Sequence, residues 1–303
     1  MKEEKIITVI GSANYDMILK QERLPQIGET YCVDNIAFSS GGKGVNQATQ
    51  CSKLGVKTYF VGTIGNDFFG EHISNSLKEY KVNLDYLEKV RGTTGLGIVN
   101  ALHDGSVYAN IVSGANGEIT IDRLNVIKPL LEKSSIVIFQ LEIPVEVVEA
   151  GIRLAKECDC VVILNGAPAN LMSEKVLRKV DYFVVNEPEA SFYAKQPIFD
   201  EESARIHAHL FDDIFDHLLI ITLGAKGSIL YDKENIVHIP AKKVHAIDTT
   251  GAGDSFIGAF AYKILKDSNY IEAAKFATQV SSITVTKIGT QESMPSIDEI
   301  TKY

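Results

Sequence analysis

A chain of 303 residues with 39 acidic against 30 basic side chains carries a net charge of −9, which argues against a nucleic-acid surface and its basic footprint. A hydrophobic share of 45 % and a charged share of 23 % are ordinary for a globular protein, and the length can bury one large α/β core or two smaller ones. No apolar run approaches the ~18 residues of a membrane span and no signal-peptide apolar region is found, so a cytoplasmic, membrane-free protein is expected. Cys32, Cys51, Cys158 and Cys160 lack zinc-ligand spacing and read as structural thiols.

In chain order, β-branched runs predict strands at 6–10, 57–61, 135–139, 161–164, 182–185, 218–222 and 228–231. Amphipathic periods predict helices at 45–54, 69–80, 145–157, 174–180 and 203–211. Strand, helix and strand in succession imply a largely parallel sheet covered on both faces, with functional residues at the carboxyl ends of its strands. Two stretches break this rhythm. Residues 16–39 hold two extended runs without helical period, and 95–112 read as a hairpin of 97–102 and 107–112 turning at Asp104-Gly105. Together they predict a small separate sheet, which needs something to pack against, such as an active site beneath it or a second subunit.

Glycine-rich segments follow several of these elements. Gly41-Gly42-Lys43-Gly44-Val45-Asn46-Gln47 precedes a helix; it is not a phosphate-binding GxxxxGK[ST] loop, and no GxGxxG dinucleotide fingerprint is completed anywhere. Its backbone N–H groups, the Lys43 ammonium and the Asn46 amide suit the hydroxyls of a small polar ligand. Asn14 and Asp16 alternate on an extended run and point the same way, so one amide and one carboxylate can grip adjacent hydroxyls, or form an Asx turn. Glu142 ends another strand and adds a further carboxylate that can accept from a ligand hydroxyl. Asn186 and Glu189, three apart after the strand 182–185, can hold a hydrated Mg²⁺ that also binds phosphate. Thr222-Leu223-Gly224-Ala225-Lys226-Gly227 is a strand-end glycine loop of the kind that passes a nucleotide.

Asp248-Thr249-Thr250-Gly251-Ala252-Gly253-Asp254 runs straight into an apolar helical stretch. The free N–H groups of a helix N-terminus attract anions, and glycines let a phosphate approach the backbone. A carboxylate beside those donors can take a proton from an attacking hydroxyl while they hold charge developing on the phosphate. Read alone, the segment serves equally as a turn with a capping aspartate.

The order Asn-x-Asp, Gly-Gly-Lys-Gly-x-Asn, Gln-Leu-Glu, Asn-x-x-Glu, Thr-Leu-Gly-x-x-Gly and Asp-Thr-x-Gly-Ala-Gly-Asp resembles the ribokinase-like (PfkB) sugar kinases over nearly the whole chain. The resemblance implies one α/β domain over 1–303, a three-layer α/β/α sandwich with a mostly parallel central sheet. It also implies a small β-sheet lid, from about 13–40 and 93–114, that often clasps a second subunit into a homodimer. The implied reaction is ATP-dependent phosphorylation of a sugar's primary hydroxyl, and Asn14, Asp16, Lys43 and Glu142 favour D-ribose over 2-deoxyribose, fructose or a nucleoside. A sugar-sensing regulator that keeps the fold without turnover is the rival of another class, and the intact Asp254 motif speaks against it.

Carried over by position, Asp254 matches the catalytic base and Gly251, Ala252 and Gly253 the anion hole. Asn14, Asp16, Gly42, Lys43, Asn46 and Glu142 match sugar contacts. Asn186, Thr222, Gly224, Lys226, Gly227, Gly253 and Thr278 match nucleotide contacts. A monovalent-cation loop, K⁺ in this family, would comprise Asp248 and Ser293 with the carbonyls of Thr250, Thr284, Lys287 and Gly289. Asn165-Gly166-Ala167-Pro168 departs from the family's common Asn-Pro-Ala-Pro, and Thr278 stands where Asn or His is frequent. All seven histidines fall outside these motifs.

Overall fold

The computed structural model describes residues 5–103, 107–266 and 269–302. Thirteen strands and ten α-helices are described in chain order. The first half runs β1 (Ile6–Ile10), β2 (Asn14–Gln21), β3 (Asn35–Gly41), α1 (Lys43–Lys53), β4 (Lys57–Gly65), α2 (Phe68–Glu79), β5 (Asn83–Val90), β6 (Gly95–Leu102), β7 (Val107–Val112) and α3 (Ile121–Leu131). It continues through β8 (Ser134–Phe139), α4 (Val145–Glu157), β9 (Val161–Asn165), α5 (Glu174–Leu177), β10 (Tyr182–Asn186), α6 (Glu187–Ala194) and α7 (Glu201–His207). The chain then forms β11 (Leu218–Thr222), β12 (Ser228–Tyr231), β13 (Ile236–Ile239), α8 (Ala252–Leu265), α9 (Tyr270–Thr284) and α10 (Ile297–Ile300).

Nine strands form the main sheet in the order β13-β12-β11-β10-β9-β8-β1-β4-β5, parallel from β11 to β5 and antiparallel at β12 and β13. Its central strands are apolar almost without interruption because both faces are covered. Successive residues enter opposite cores: Val137, Phe139, Val162, Leu164, Leu219 and Ile221 pack on the side of α3, α4 and α6. Ile136, Ile138, Ile163, Leu218 and Ile220 pack on the side of α1, α8 and α9. This is the three-layer α/β arrangement read from the sequence. The order reverses between β1 and β8, and at such a switch point the strands' carboxyl ends open a crevice.

The second sheet has the order β3-β2-β6-β7, with β2 antiparallel to β3 and parallel to β6. Both irregular stretches meet in it, and the expected turn at Asp104-Gly105 lies outside the described residues. Asn14, Asp16, Gly41, Gly95 and Gly97 share one face by register, and that face turns towards the crevice.

Several expectations shift at their edges. The helix expected over 174–180 is the single turn Glu174–Leu177 followed by turn residues, and that over 203–211 is Glu201–His207 extended by a 3₁₀ turn, Ala208–Phe211. Strand β5 is additional to the reading; Asp85, Glu88 and Lys89 interrupt its apolar pattern, as suits the sheet edge it occupies. Helix α3 is also additional, and carries Pro129 inside. Among the described residues no helix is long and apolar enough to cross a membrane.

Candidate active site

Helix α8 begins at the mouth of the crevice. Its N-cap is Gly251 with φ +75°, a left-handed conformation that favours glycine, and a Cβ there would lie 2.7 Å from Thr290 Cγ2. A Cβ on Gly253 would meet nothing within 4 Å, so the first turn of α8 faces open space. Asp254 follows in that turn and is buried. Its Oδ2 accepts from Asn46 Nδ2 and its Oδ1 from Gln47 Nε2, both at 2.9 Å. Burial pushes the Asp254 carboxyl above the ordinary range, against the opposing pull of Lys43 and the two amide donors. Burial alone would lower Lys43, yet Asp254, Glu142 and Glu189 outweigh it and leave the ammonium above its usual value.

Helix α1 starts beside this aspartate, after Gly42 at φ +90°. A Cβ on Gly42 would lie 2.7 Å from the Asn14 backbone nitrogen, so glycine lets the two segments touch. Glu142 Oε2 accepts from the Lys43 backbone N–H at 3.0 Å and from Ser12 Oγ at 2.5 Å, a carboxylate seated on a helix N-terminus. Asn14 Oδ1 accepts from Asn116 Nδ2 at 2.7 Å, while Asn116 Oδ1 takes the Ala13 N–H at 2.8 Å. With its oxygen held, Asn14 keeps its NH₂ for a ligand. Asp16 lies between Gly41 and Gly97, and a Cβ on either would fall onto its carboxylate. Burial, then Glu142 and Asp254, raise the Asp16 carboxyl from 3.8 to about 7. The structure therefore brings Asn14, Asp16, Gly42, Lys43, Asn46, Glu142 and Asp254 into one crevice.

A cavity of about 520 Å³ adjoins it on the other side of the α8 N-terminus, which contributes Ala252 and Gly253. Thr222, Gly224, Gly227 and Thr278 line it, along with Phe256 and Ser281. Lys226 departs from the expectation: its Nζ donates to the Phe199 carbonyl at 3.2 Å and the residue is not in the cavity wall. Nor is Asn186, which forms a capping box with Glu189 at the start of α6. Asn186 Oδ1 accepts from the Glu189 N–H at 3.0 Å and Glu189 Oε2 from the Asn186 N–H at 2.9 Å. Glu189 keeps Oε1 outside the box, and its carboxyl is raised by burial against the Asn186 bond and Lys43.

The segments expected to bind a monovalent cation also meet. Asp248 Oδ1 accepts from the Thr250 N–H at 2.9 Å and Oδ2 from the Gly289 N–H at 3.2 Å. Thr284 and Ser293 are buried, and the Thr284 carbonyl accepts from the Lys287 N–H at 3.2 Å. Ser293 Oγ donates to the Thr290 carbonyl at 2.8 Å. One carboxylate thus ties the turn before α8 to the loop after α9.

The family model for pfkB family carbohydrate kinase matches residues 5–297. The chain belongs to that family. It is 32 % identical to ribokinase of Haemophilus influenzae over 300 residues, covering 99 % of this chain and 98 % of the relative. It is 33 % identical to deoxyribokinase of Salmonella typhimurium, covering 98 % of each. Among solved structures it resembles Arabidopsis thaliana ribokinase complexed with ribose and ATP, with TM-score 0.89, 31 % identity and 98 % of each chain covered.

Sequence reasoning gave no role to Gln47, Asn116, Gln140 or Gln291, all buried amides in hydrogen bonds around the crevice. Asn116 follows β7 in a 3₁₀ turn, far in sequence from the Ala13-Asn14 pair that it fixes.

Asp16 generates a stability prediction. An acid whose folded pKa of about 7 exceeds its unfolded 3.8 binds more protons when folded, so its contribution to stability falls as pH rises between those values. Asp16→Asn should raise Tm of the ligand-free protein at pH 8, with the gain vanishing by about pH 4. Thermal melts that show no pH-dependent gap between variant and parent would contradict this.

Proposed function

We propose that this kinase transfers the γ-phosphoryl group of ATP to the 5-hydroxyl of D-ribose, giving D-ribose 5-phosphate and ADP. The observation that carries the reading is Asp254, buried in an amide cradle where the polar crevice and the 520 Å³ cavity meet at one helix N-terminus. Asn14, Asp16, Gly42, Lys43, Asn46 and Glu142 hold the sugar, with the Asn14 NH₂ as donor and the Asp16 carboxylate as acceptor. Thr222, Gly224, Gly227, Gly253 and Thr278 hold the nucleotide along the cavity.

Asp254 accepts the proton of the sugar's 5-hydroxyl as that oxygen bonds to the γ-phosphorus. The bond from the γ-phosphorus to the bridging oxygen breaks, and ADP leaves with the electron pair. The Gly251, Ala252 and Gly253 backbone, with the helix dipole behind it, stabilises the charge spread over the transferring group. Most of the rate then comes from positioning and electrostatics, as phosphoryl transfer generally requires. Residues 1–303 act as one kinase domain, with the four-stranded sheet as a lid that keeps water from the sugar.

Two ions suit the residues present. The free Oε1 of Glu189, next to Asn186, would hold a hydrated Mg²⁺, which offsets phosphate charge when bound. Asp248, Ser293 and the carbonyls of Thr250, Thr284, Lys287 and Gly289 would hold K⁺ and stiffen the turn before α8. The lid's outer face exposes Ile36, Phe38 and Tyr108, apolar surface that a second copy would cover to form a homodimer.

A second reading, 2-deoxyribose as substrate, is favoured by the deoxyribokinase relative, whose 33 % identity stands beside the 32 % of the Haemophilus influenzae ribokinase. A coupled ADP assay over a sugar panel separates them. A buried carboxylate left short of a donor weakens binding by about 1–3 kcal/mol, so kcat/KM for ribose should exceed that for 2-deoxyribose by at least about tenfold. Preference for deoxyribose, fructose or a nucleoside would overturn the ribose assignment. Asp254→Asn should lower kcat by roughly 10²–10⁴ with ATP binding retained, and a folded variant of near-parental turnover would remove the base. K⁺ should outperform Na⁺ at matched ionic strength, equal rates counting against the cation loop. Sedimentation at micromolar concentration should show a dimer; a monomer would refute the clasp and leave the lid.

A further inference from the structure

The two amides that cradle Asp254 are themselves held, each by one further amide. Gln140 Nε2 donates to Gln47 Oε1 at 2.7 Å. Gln291 Nε2 donates to Asn46 Oδ1 at 3.3 Å and to the Ser40 carbonyl at 3.1 Å. Gln291 Oε1 is in turn occupied by Ser76 Oγ at 2.8 Å. All four amides are buried, so water cannot stand in for a missing partner without entering the core.

The bonds have a direction. A primary amide offers an acceptor at one end and two donors at the other, and an ionised carboxylate accepts only. Ser76 gives to Gln291, Gln291 to Asn46, and Asn46 to Asp254 Oδ2. Gln140 gives to Gln47, and Gln47 to Asp254 Oδ1. Rotating Asn46 or Gln47 by half a turn would set an amide oxygen against the carboxylate and a donor against a donor. Gln140 Oε1 itself has no partner among the described residues, and a Cβ on Gly11 would fall onto it. A buried acceptor left unpaired is unfavourable by itself, which points to a use for the donor at its other end.

We propose that Gln140 and Gln291 are positioning residues that fix the polarity of Gln47 and Asn46, so that both turn their NH₂ groups to Asp254 and keep it ionised and aimed. The role deepens the phosphoryl-transfer reading, since Asp254 is the base there, and it acts on the orientation of that base without touching substrate. The charged groups that face Asp254 are Lys43 on α1, Glu142 beyond β8, Asp16 on β2 and Glu189 on α6. None is altered by changing the two glutamines.

The test titrates Asp254 directly, by carbon NMR of protein labelled at the aspartate carboxyl, with Asp254→Asn to assign the signal. Gln140→Met and Gln291→Met keep volume and remove the donor; each should raise the Asp254 pKa by about half to one unit. Gln140→Glu should raise it further, since a carboxylate there draws the Gln47 NH₂ away from Asp254. In turnover, the acid limb of the kcat profile should move up by the same amount while KM for sugar and ATP changes less than about twofold. If Gln140→Glu does not fold, the two methionine variants, checked by cooperative melting, decide the matter. An unmoved Asp254 titration in both folded methionine variants overturns the proposal, even if kcat falls. A shifted titration in the variants, with no turnover of ribose by the parent protein, upholds the proposal and removes the ribose reading instead.

Discussion

The crevice holds more buried negative charge than it can neutralise by itself. Glu142 raises the pKa of both Asp16 and Asp254, Asp254 raises that of Asp16, and Lys43 is the cation set among them. Charges in such a place survive only with hydrogen-bond donors, and the fold supplies these from fixed positions. The N-terminus of α1 serves Glu142, and the amides of the same helix serve Asp254. Asp16 is the exception, held between two glycines and raised to about 7, so it is the carboxylate left short of partners. A ligand rich in hydroxyl donors is the natural complement to that deficit.

The same charges set the character of the two hollows. Three carboxylates lie on the crevice side and disfavour an anion there, whereas the cavity ends at the backbone of Ala252 and Gly253, at a helix N-terminus. Helix α8 can present its first turn to that cavity because Gly251 takes a left-handed conformation and Gly253 carries no side chain. Asp254 therefore borders both an acidic crevice and a cavity that ends at the positive end of a helix dipole.

Much of this could be read in the sequence. The continuously apolar strands are legible because both sheet faces are covered, and the glycine turns before α1 and α8 are legible because close approach demands glycine. Asn14, Asp16, Lys43, Asn46, Glu142 and Asp254 lie together in one crevice, each within a few residues of the end of β2, α1, β8 or α8. The misses have physical causes too. Strand β5 is interrupted by charge at a sheet edge and α3 carries Pro129, so neither shows a clean period. Lys226 has a long side chain that finds the Phe199 carbonyl, which no loop motif discloses. Asn186 and Glu189 have the spacing of a capping box as well as that of a magnesium pair; the box forms and leaves Glu189 Oε1 outside it. Gln47 acts on Asp254, and Asn116, Gln140 and Gln291 act on other amides, and an amide in a single sequence carries no mark of its partner.

Only Gly42 separates the last residue of β3 from the first of α1, and three residues, 11–13, separate β1 from β2. At Gly42 the small sheet is joined to α1 with no slack, so a change in its tilt reaches the first turns of α1, which carry Asn46 and Gln47. Ser40, the residue of β3 that Gln291 grips, moves with it. The sheet over the crevice and the amides that hold Asp254 are thereby parts of one mechanical unit.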